Sequence, residues 1–390
     1  MNSQIDLHTL PALLRLAVGE GEAPTVSHWP ALLKLARFHH VEPLVWCAVK
    51  RGVPDAPEEV RRPLKSAYDR ALFREAQQEH TAAALRDLLT EAGVPHVLLR
   101  GAVLKHDYPE ACLRTMSDLD YLVRVEDYPK LRQAAEALGG RHIHTDGGHF
   151  SFVIPPEVMV EFHPNLIYTA SPVGTEINPG WQYTKPGSGP CALELTEEGF
   201  YLNMVCHLAY HFAKGGTGVR SVLDLWVYRH RHTPQPDRAF VERELDRAGL
   251  RRFAERAEAL AEAWFGGEKL TAPLEELGEY ILSSGTYGLE SRAVMNAACF
   301  SPGGTGRSAL MQRVFYPREE LENRFPWSRG KPWLLPAAWC ARAARAVTRH
   351  PEYIARWKKR ADKLSRQEIQ AQRELLRHFG FRIERGNGES

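Results

Sequence analysis

The chain has 390 residues, of which 44% are apolar and 25% charged, the composition of a globular protein able to bury one large core or two ordinary ones. Its 50 Lys and Arg against 48 Asp and Glu leave a formal charge of +2, so overall charge singles out neither a nucleic acid nor a membrane as partner. No apolar run approaches the roughly 20 residues of a membrane span, and Met1–Asp6 lacks the basic start and apolar stretch of an export signal; a cytoplasmic location without membrane contact is expected. Six cysteines (Cys47, Cys112, Cys191, Cys206, Cys299, Cys340) are scattered without Cys-x-x-Cys pairs, which fits reduced thiols better than disulfides or zinc.

Residues 6–92 read as helix, with apolar positions at helical spacing in Leu10-Leu13-Leu14-Leu16 and Leu32-Leu33-Leu35-Ala36. Turns rich in Gly, Pro and acids interrupt them at Gly19 to Thr25 and Gly52 to Pro57, and a longer helix runs from about Pro63 to Ala92. After Gly93 an apolar run, Val97 to Leu99, meets Arg100-Gly101-Ala102, as a strand does when it delivers its end to a turn that opens a helix. That turn is a candidate phosphate site.

Asp118 and Asp120 flank Leu119 and lead into Tyr121-Leu122-Val123, so a strand places both carboxylates on one face of a buried element. Like charges so close raise each other's pKa unless a cation stands between them, and Mg²⁺ is commonly held by one or two carboxylates together with substrate phosphates. Val158-Met159-Val160-Glu161-Phe162 supplies a third acid as the only charge in an apolar run. Asp118, Asp120 and Glu161 together are the expected catalytic and metal-binding set, for Mg²⁺ or Mn²⁺ with a nucleoside triphosphate. The expected phosphate contacts are Arg100, Gly101, Ala102, Arg114 and Ser117. Arg114 is expected to fold over the site, pairing with Asp118 when it is empty and with the triphosphate when loaded, because a guanidinium fork matches both.

Between the acids, Asp127 to Leu138 reads as an amphipathic helix closed by Gly139-Gly140, and Phe150 to Ile154 with Val158 to Phe162 as a hairpin around Pro155-Pro156. A parallel strand from Val97 and an antiparallel return predict a mixed sheet with helices on one side. Tyr168 to Pro190 reads as a loop or junction. Helices follow, one carrying His207 and His211, the next Arg220 and Asp224, each pair four residues apart on one face; the histidines read either as structural or, with Arg220 and Asp224 and partly on the family resemblance given below, as the substrate side of the cleft. The His-x-x-x-His spacing is no zinc-protease motif, since Leu208 stands where that motif needs Glu. Gly303-Gly304-Thr305-Gly306-Arg307 lacks the Gly-Lys-Ser/Thr of a phosphate loop and is discounted. From about Pro336 to Arg377 the chain reads as basic helix with interleaved Trp339, Tyr353, Ile354 and Trp357, a packed helix with a solvated face that could also take an anionic partner such as nucleic acid.

These residues resemble the nucleotidyltransferases with the fold of the DNA polymerase beta catalytic core, whose pattern is a Gly-containing turn, Asp-x-Asp, then a third acid between apolar residues. More narrowly they resemble the uncharacterised nucleotidyltransferase family of bacteria, in Leu98 to Gly101, Tyr108-Pro109, Arg114, the stretch from Trp29 to Val49 and the stretch from His207 to Asp224. Two departures stand out: Gly101-Ala102 replaces the superfamily's Gly-Ser, and Arg100 replaces the family's usual lysine. The resemblance implies an α+β fold with a polymerase-beta-like core at 93–170, between a helical region at 1–92 and a mainly helical region at 171–390. It implies transfer of a nucleoside monophosphate from an NTP, ATP being the expected donor, with release of pyrophosphate. The acceptor stays open among a small molecule, a peptide, a protein and an RNA. The competing expectation is a non-catalytic nucleotide-binding, antitoxin-like or scaffolding protein of the same fold.

Overall fold

The computed structural model describes residues 8–53, 56–146 and 149–383; Met1–Asp6 and part of the Gly52–Pro57 turn, both read above, lie outside them. The front is helical as expected, with α1 (Thr9–Ala17), α2 (Trp29–Phe38), α3 (Glu42–Lys50) and the 34-residue α4 (Glu58–Glu91); the stretch from Trp29 to Val49 divides in two, and α4 starts ahead of Pro63. Leu10, Leu13, Leu14 and Ala17 recur at three- and four-residue spacing, so α1 buries one full stripe. Pro30 and Pro43 open α2 and α3, where a missing N–H costs no helical bond. Val60 and Leu64 near the start of α4 join the core of α1 to α3, and Leu85 and Leu89 near its end lie in a second core under the sheet. One long helix thus ties the front of the chain to the sheet.

The sheet then builds in the order β1 (His96–Leu98), α5 (Gly101–Leu104), β2 (Asp118–Val123), α6 (Tyr128–Ala137), β3 (Arg141–Asp146), β4 (His149–Ile154), β5 (Val158–His163), β6 (Thr184–Pro186) and β7 (Ala192–Leu195). Its spatial order is β3-β4-β5-β2-β1-β7-β6, a mixed arrangement. The expected hairpin is β4–β5, antiparallel; β1 runs antiparallel to β2 and parallel to β7, and β2 runs parallel to β5. Three strands went unforeseen. β3 (Arg-His-Ile-His-Thr-Asp) is a polar edge, and β6 and β7 fall in or just after the Gly- and Pro-rich stretch; pairing with a neighbour makes them strands, not their own propensity.

Alternation along the strands separates the faces. Leu119, Tyr121, Val123, Val160 and Phe162 pack on Leu85 and Leu89 of α4 and Leu131 of α6. On the other face Val97, Leu99 and Leu122 join a core that includes α7 (Glu197–Ala213) and α8 (Val219–Arg231). Helices therefore cover both faces, not one, and a cavity remains where α7 and α8 face the acid-bearing ends of β2 and β5.

Nine further helices complete the described chain: α9 (Arg238–Arg247), α10 (Arg251–Ala261), α11 (Ala272–Leu282), α12 (Glu290–Phe300), α13 (Gly306–Val314), α14 (Arg318–Arg324), α15 (Leu335–Arg349), α16 (Pro351–Ala361) and α17 (Arg366–His378). Thr305 caps α13 reciprocally with Ser308, which gives the discounted glycine loop a structural role. The basic segment divides into α15 to α17: Trp357 is buried, whereas α15 buries only Ala338. Among the described residues, no helix is long and apolar enough to cross a membrane.

Candidate functional site

The site begins where β1 ends. The Leu99 amide still donates to Asp120 O at 2.9 Å, and then Arg100 turns the chain with φ of +46°, a conformation that side-chain-bearing residues rarely adopt. Gly101 follows, and a Cβ there would lie 2.8 Å from both Arg114 Nη1 and Met116 Sδ. Glycine is what lets the Arg114 guanidinium lie against this turn.

Parallel pairing of β2 with β5 sets Asp120 beside Glu161 and Leu122 beside His163, so Asp118, Asp120, Glu161 and His163 line the cavity. His163 Nε2 stands 2.7 Å from Asp120 Oδ1 and 3.4 Å from Glu161 Oε2, while Arg100 pairs with the other oxygen of Asp120. Burial pushes Asp120 up, yet Arg100 and His163 outweigh it and hold the carboxyl well below the usual range. Glu161 feels Arg100 more weakly: burial, reinforced by Asp120 and Asp118 and only partly offset by His163 and Arg100, pushes it up to about 7. Burial and the charge of Asp120 raise Asp118 as well. Ligand atoms of Asp120, Glu161 and His163 all lie within 4.8 Å of one another, two oxygens and one nitrogen able to close on a single cation.

The opposite wall comes from α7 and α8. His207 and His211 face each other with their Nε2 atoms 3.0 Å apart, one donating and the other accepting. Burial and nearby Arg100 hold His207 well below its ordinary value and His211 at about 4, so both imidazoles are neutral at pH 7. Arg114 Nε and Nη2 donate to the two oxygens of Asp224 at 2.9 and 2.8 Å, and the Tyr108 hydroxyl donates to Asp224 Oδ1 at 2.6 Å. The enclosed space is about 370 Å³, enough for a small ligand.

Residues 25–266, more than half of the chain and all of the groups just described, match the family described as uncharacterised nucleotidyltransferase. The chain belongs to that family. It is accordingly an enzyme of the nucleotidyltransferase class. No curated protein and no solved structure matches it.

The cavity of this nucleotidyltransferase gathers every residue singled out from the sequence: Arg100, Gly101, Ala102, Arg114, Ser117, Asp118, Asp120, Glu161, His207, His211, Arg220 and Asp224. Two details differ. Arg114 pairs with Asp224 instead of Asp118, because Asp224 presents both oxygens to the guanidinium fork while Asp118 is hydrogen-bonded by Ser117. The tightest ligand cluster contains His163 and not Asp118. His163 went unread, although it lies two positions beyond Glu161 and strand alternation alone puts both on one face. Tyr108, marked in the sequence only by the family resemblance, buttresses the cavity through Asp224, and Thr286 lines it with nothing local in the sequence to mark it.

Proposed function

We propose that this nucleotidyltransferase moves a nucleoside monophosphate from an NTP, with ATP the expected donor, to a hydroxyl or other nucleophile with release of pyrophosphate, on a polymerase-beta-like core. The observation that carries this reading is the parallel pairing that stands Asp118, Asp120 and Glu161 along one wall of a cavity whose rim is the Arg100–Gly101 turn. The carboxylates of Asp120 and Glu161, with Asp118 beside them, would hold a hard divalent cation such as Mg²⁺ or Mn²⁺, with the His163 imidazole orienting Asp120; such a cation when bound would neutralise phosphate charge and acidify an attacking hydroxyl.

The chain's own groups have separate tasks. Arg100, released from Asp120, holds phosphate oxygens, since its guanidinium forks toward either kind of oxyanion equally well. Glu161, at the cation cluster, accepts the proton of the nucleophile as its oxygen bonds to the α-phosphorus and the bond to the pyrophosphate oxygen breaks. The neutral His207–His211 pair adds hydrogen-bonding capacity to the acceptor side without adding charge. Incubation with labelled NTPs, a divalent cation and cell extract is expected to label a product, and Asp118→Asn or Asp120→Asn to lower the yield at least about a hundredfold. Equal labelling by both variants and the parent would refute the assignment.

A further inference from the structure

Arg220 gives the cavity a second charged end. Its Nη1 donates to Thr115 Oγ1 at 2.7 Å, and among the described residues no carboxylate pairs with it. The nearby acid, Asp224, is already engaged by both Arg114 nitrogens and by Tyr108. Two guanidiniums and one carboxylate leave one positive charge uncompensated beneath the cavity wall, an arrangement that is costly unless an anion completes it. Arg114 stands between the two ends, feeling both Asp224 and Asp118, whereas the charged and phenolic neighbours of Arg220 are Arg114, Asp224, Tyr108 and Tyr287.

The surroundings of Arg220 are built for an oxyanion. The 13-residue helix α8 opens here, and Thr217, Arg220 and Ser221 from its first turn and the residue before its cap line the cavity. Thr217 Oγ1 and Ser221 Oγ lie 2.9 Å apart. Thr286, from the loop after α11, lines the same cavity next to Gly218, and its hydroxyl has no hydrogen-bond partner among the described residues. A hydroxyl without a partner and a guanidinium without a carboxylate on the wall of one cavity fit a missing acceptor.

We propose that Arg220, with the Ser221 and Thr286 hydroxyls beside the start of α8, forms an oxyanion subsite holding a phosphate or carboxylate group of a substrate, distinct from the Asp120–Glu161–His163 cluster. The proposal rests on the reading of the cavity as the transfer site. Either substrate could bring the group, as the terminal phosphate of the donor or as an acidic group on the acceptor.

Calorimetry with inorganic phosphate, acetate, ATP and ADP tests it on the parent and on Arg220→Gln, which keeps a donor for Thr115. Phosphate titrated into chelator-treated protein is expected to bind the parent and to lose about tenfold or more in Arg220→Gln, with Thr286→Val weaker than the parent and Arg220→Lys between parent and Gln. The melting temperature of Arg220→Gln should hold or rise, because an uncompensated charge has gone; a structural arginine would lower it. With Mg²⁺ present, loss of ATP affinity without loss of ADP affinity assigns the group to the donor's terminal phosphate. Unchanged ATP affinity with lost phosphate or acetate binding assigns it to the acceptor. Parental affinity of Arg220→Gln for all four probes, or a lowered melting temperature with no change in binding, overturns the subsite. Asp120→Asn separates this from the transfer reading: phosphate binding that depends on Arg220 and survives in a variant dead for transfer keeps the subsite whichever way the transfer assay falls.

Discussion

Arg114 shows how far a residue's role depends on which partner reaches it first. As a charge four positions before Asp118 it looks like a mobile clamp, yet in the fold it is a structural cation locked bidentately onto Asp224, which is only 7% exposed. Breaking such a pair from one side strands the other charge. Arg114→Ala is therefore expected to cost about 3 to 5 kcal/mol of stability, and Arg114→Met with Asp224→Leu to recover much of it, because the pair leaves together. Urea unfolding of the three proteins checks this. A single variant within about 0.5 kcal/mol of the parent, the ordinary range of surface substitutions, would return Arg114 to the role of a free clamp.

At the scale of elements, His39 is a joint between helices. It closes the end of α2, its Nδ1 accepts from the Val219 amide that opens α8, and its Nε2 faces the Leu282 carbonyl that ends α11. With Nδ1 accepting, the proton sits on Nε2 and donates to Leu282, so only the neutral ring serves both helices. Burial, with His40 and Arg220 adding to it, lowers His39 from 6.5 to about 4. A base depressed in the folded state contributes stability that is complete above pH 6.5 and is lost as pH falls toward 4, here up to roughly 3 kcal/mol. The difference in melting between the parent and His39→Gln, whose amide can serve both partners without titrating, should shrink over that interval as acid is added. Parallel melting curves at every pH would remove His39 as the joint. The same element-level view explains the site: a one-residue slip of β5 against β2 would turn Glu161 and His163 into the α4–α6 core, so the buried apolar face is what fixes the register of the acids.

At the scale of the molecule, the family match stops at residue 266, but the core does not. Phe379 and Phe381, after α17, pack edge-on and tilted against Phe212 at ring distances of 5.6 and 5.4 Å, and Phe212 lies next to His211 on α7. Thr286 and Tyr287 at the cavity also come from beyond the matched region. The segment 25–266 expressed alone is accordingly expected to lack a cooperative unfolding transition, whereas the full chain melts as a unit. Cooperative melting of the segment at the parental temperature would show that α1 and α11 to α17 are dispensable. Phe379 is fully buried, and Phe379→Ala in the full chain is expected to cost about 3 to 5 kcal/mol, a smaller perturbation of the same closure.

Short-range pattern alone determined much of this protein. Helical spacing revealed α1 to α4, period-two alternation revealed the acid strand and the β4–β5 hairpin, and the types and spacing of Asp118, Asp120 and Glu161 pointed to one face of one sheet, because the direction of a side chain from its strand is a local property. The tertiary structure decided what those local signals cannot carry. β3, β6 and β7 are strands because of what they pair with; His163 joins the acids through the β2–β5 register; Asp224 claims Arg114 from 110 residues away and leaves Arg220 without a carboxylate. Charge pairing acts over a few ångströms of space, and the fold alone sets which residues share them.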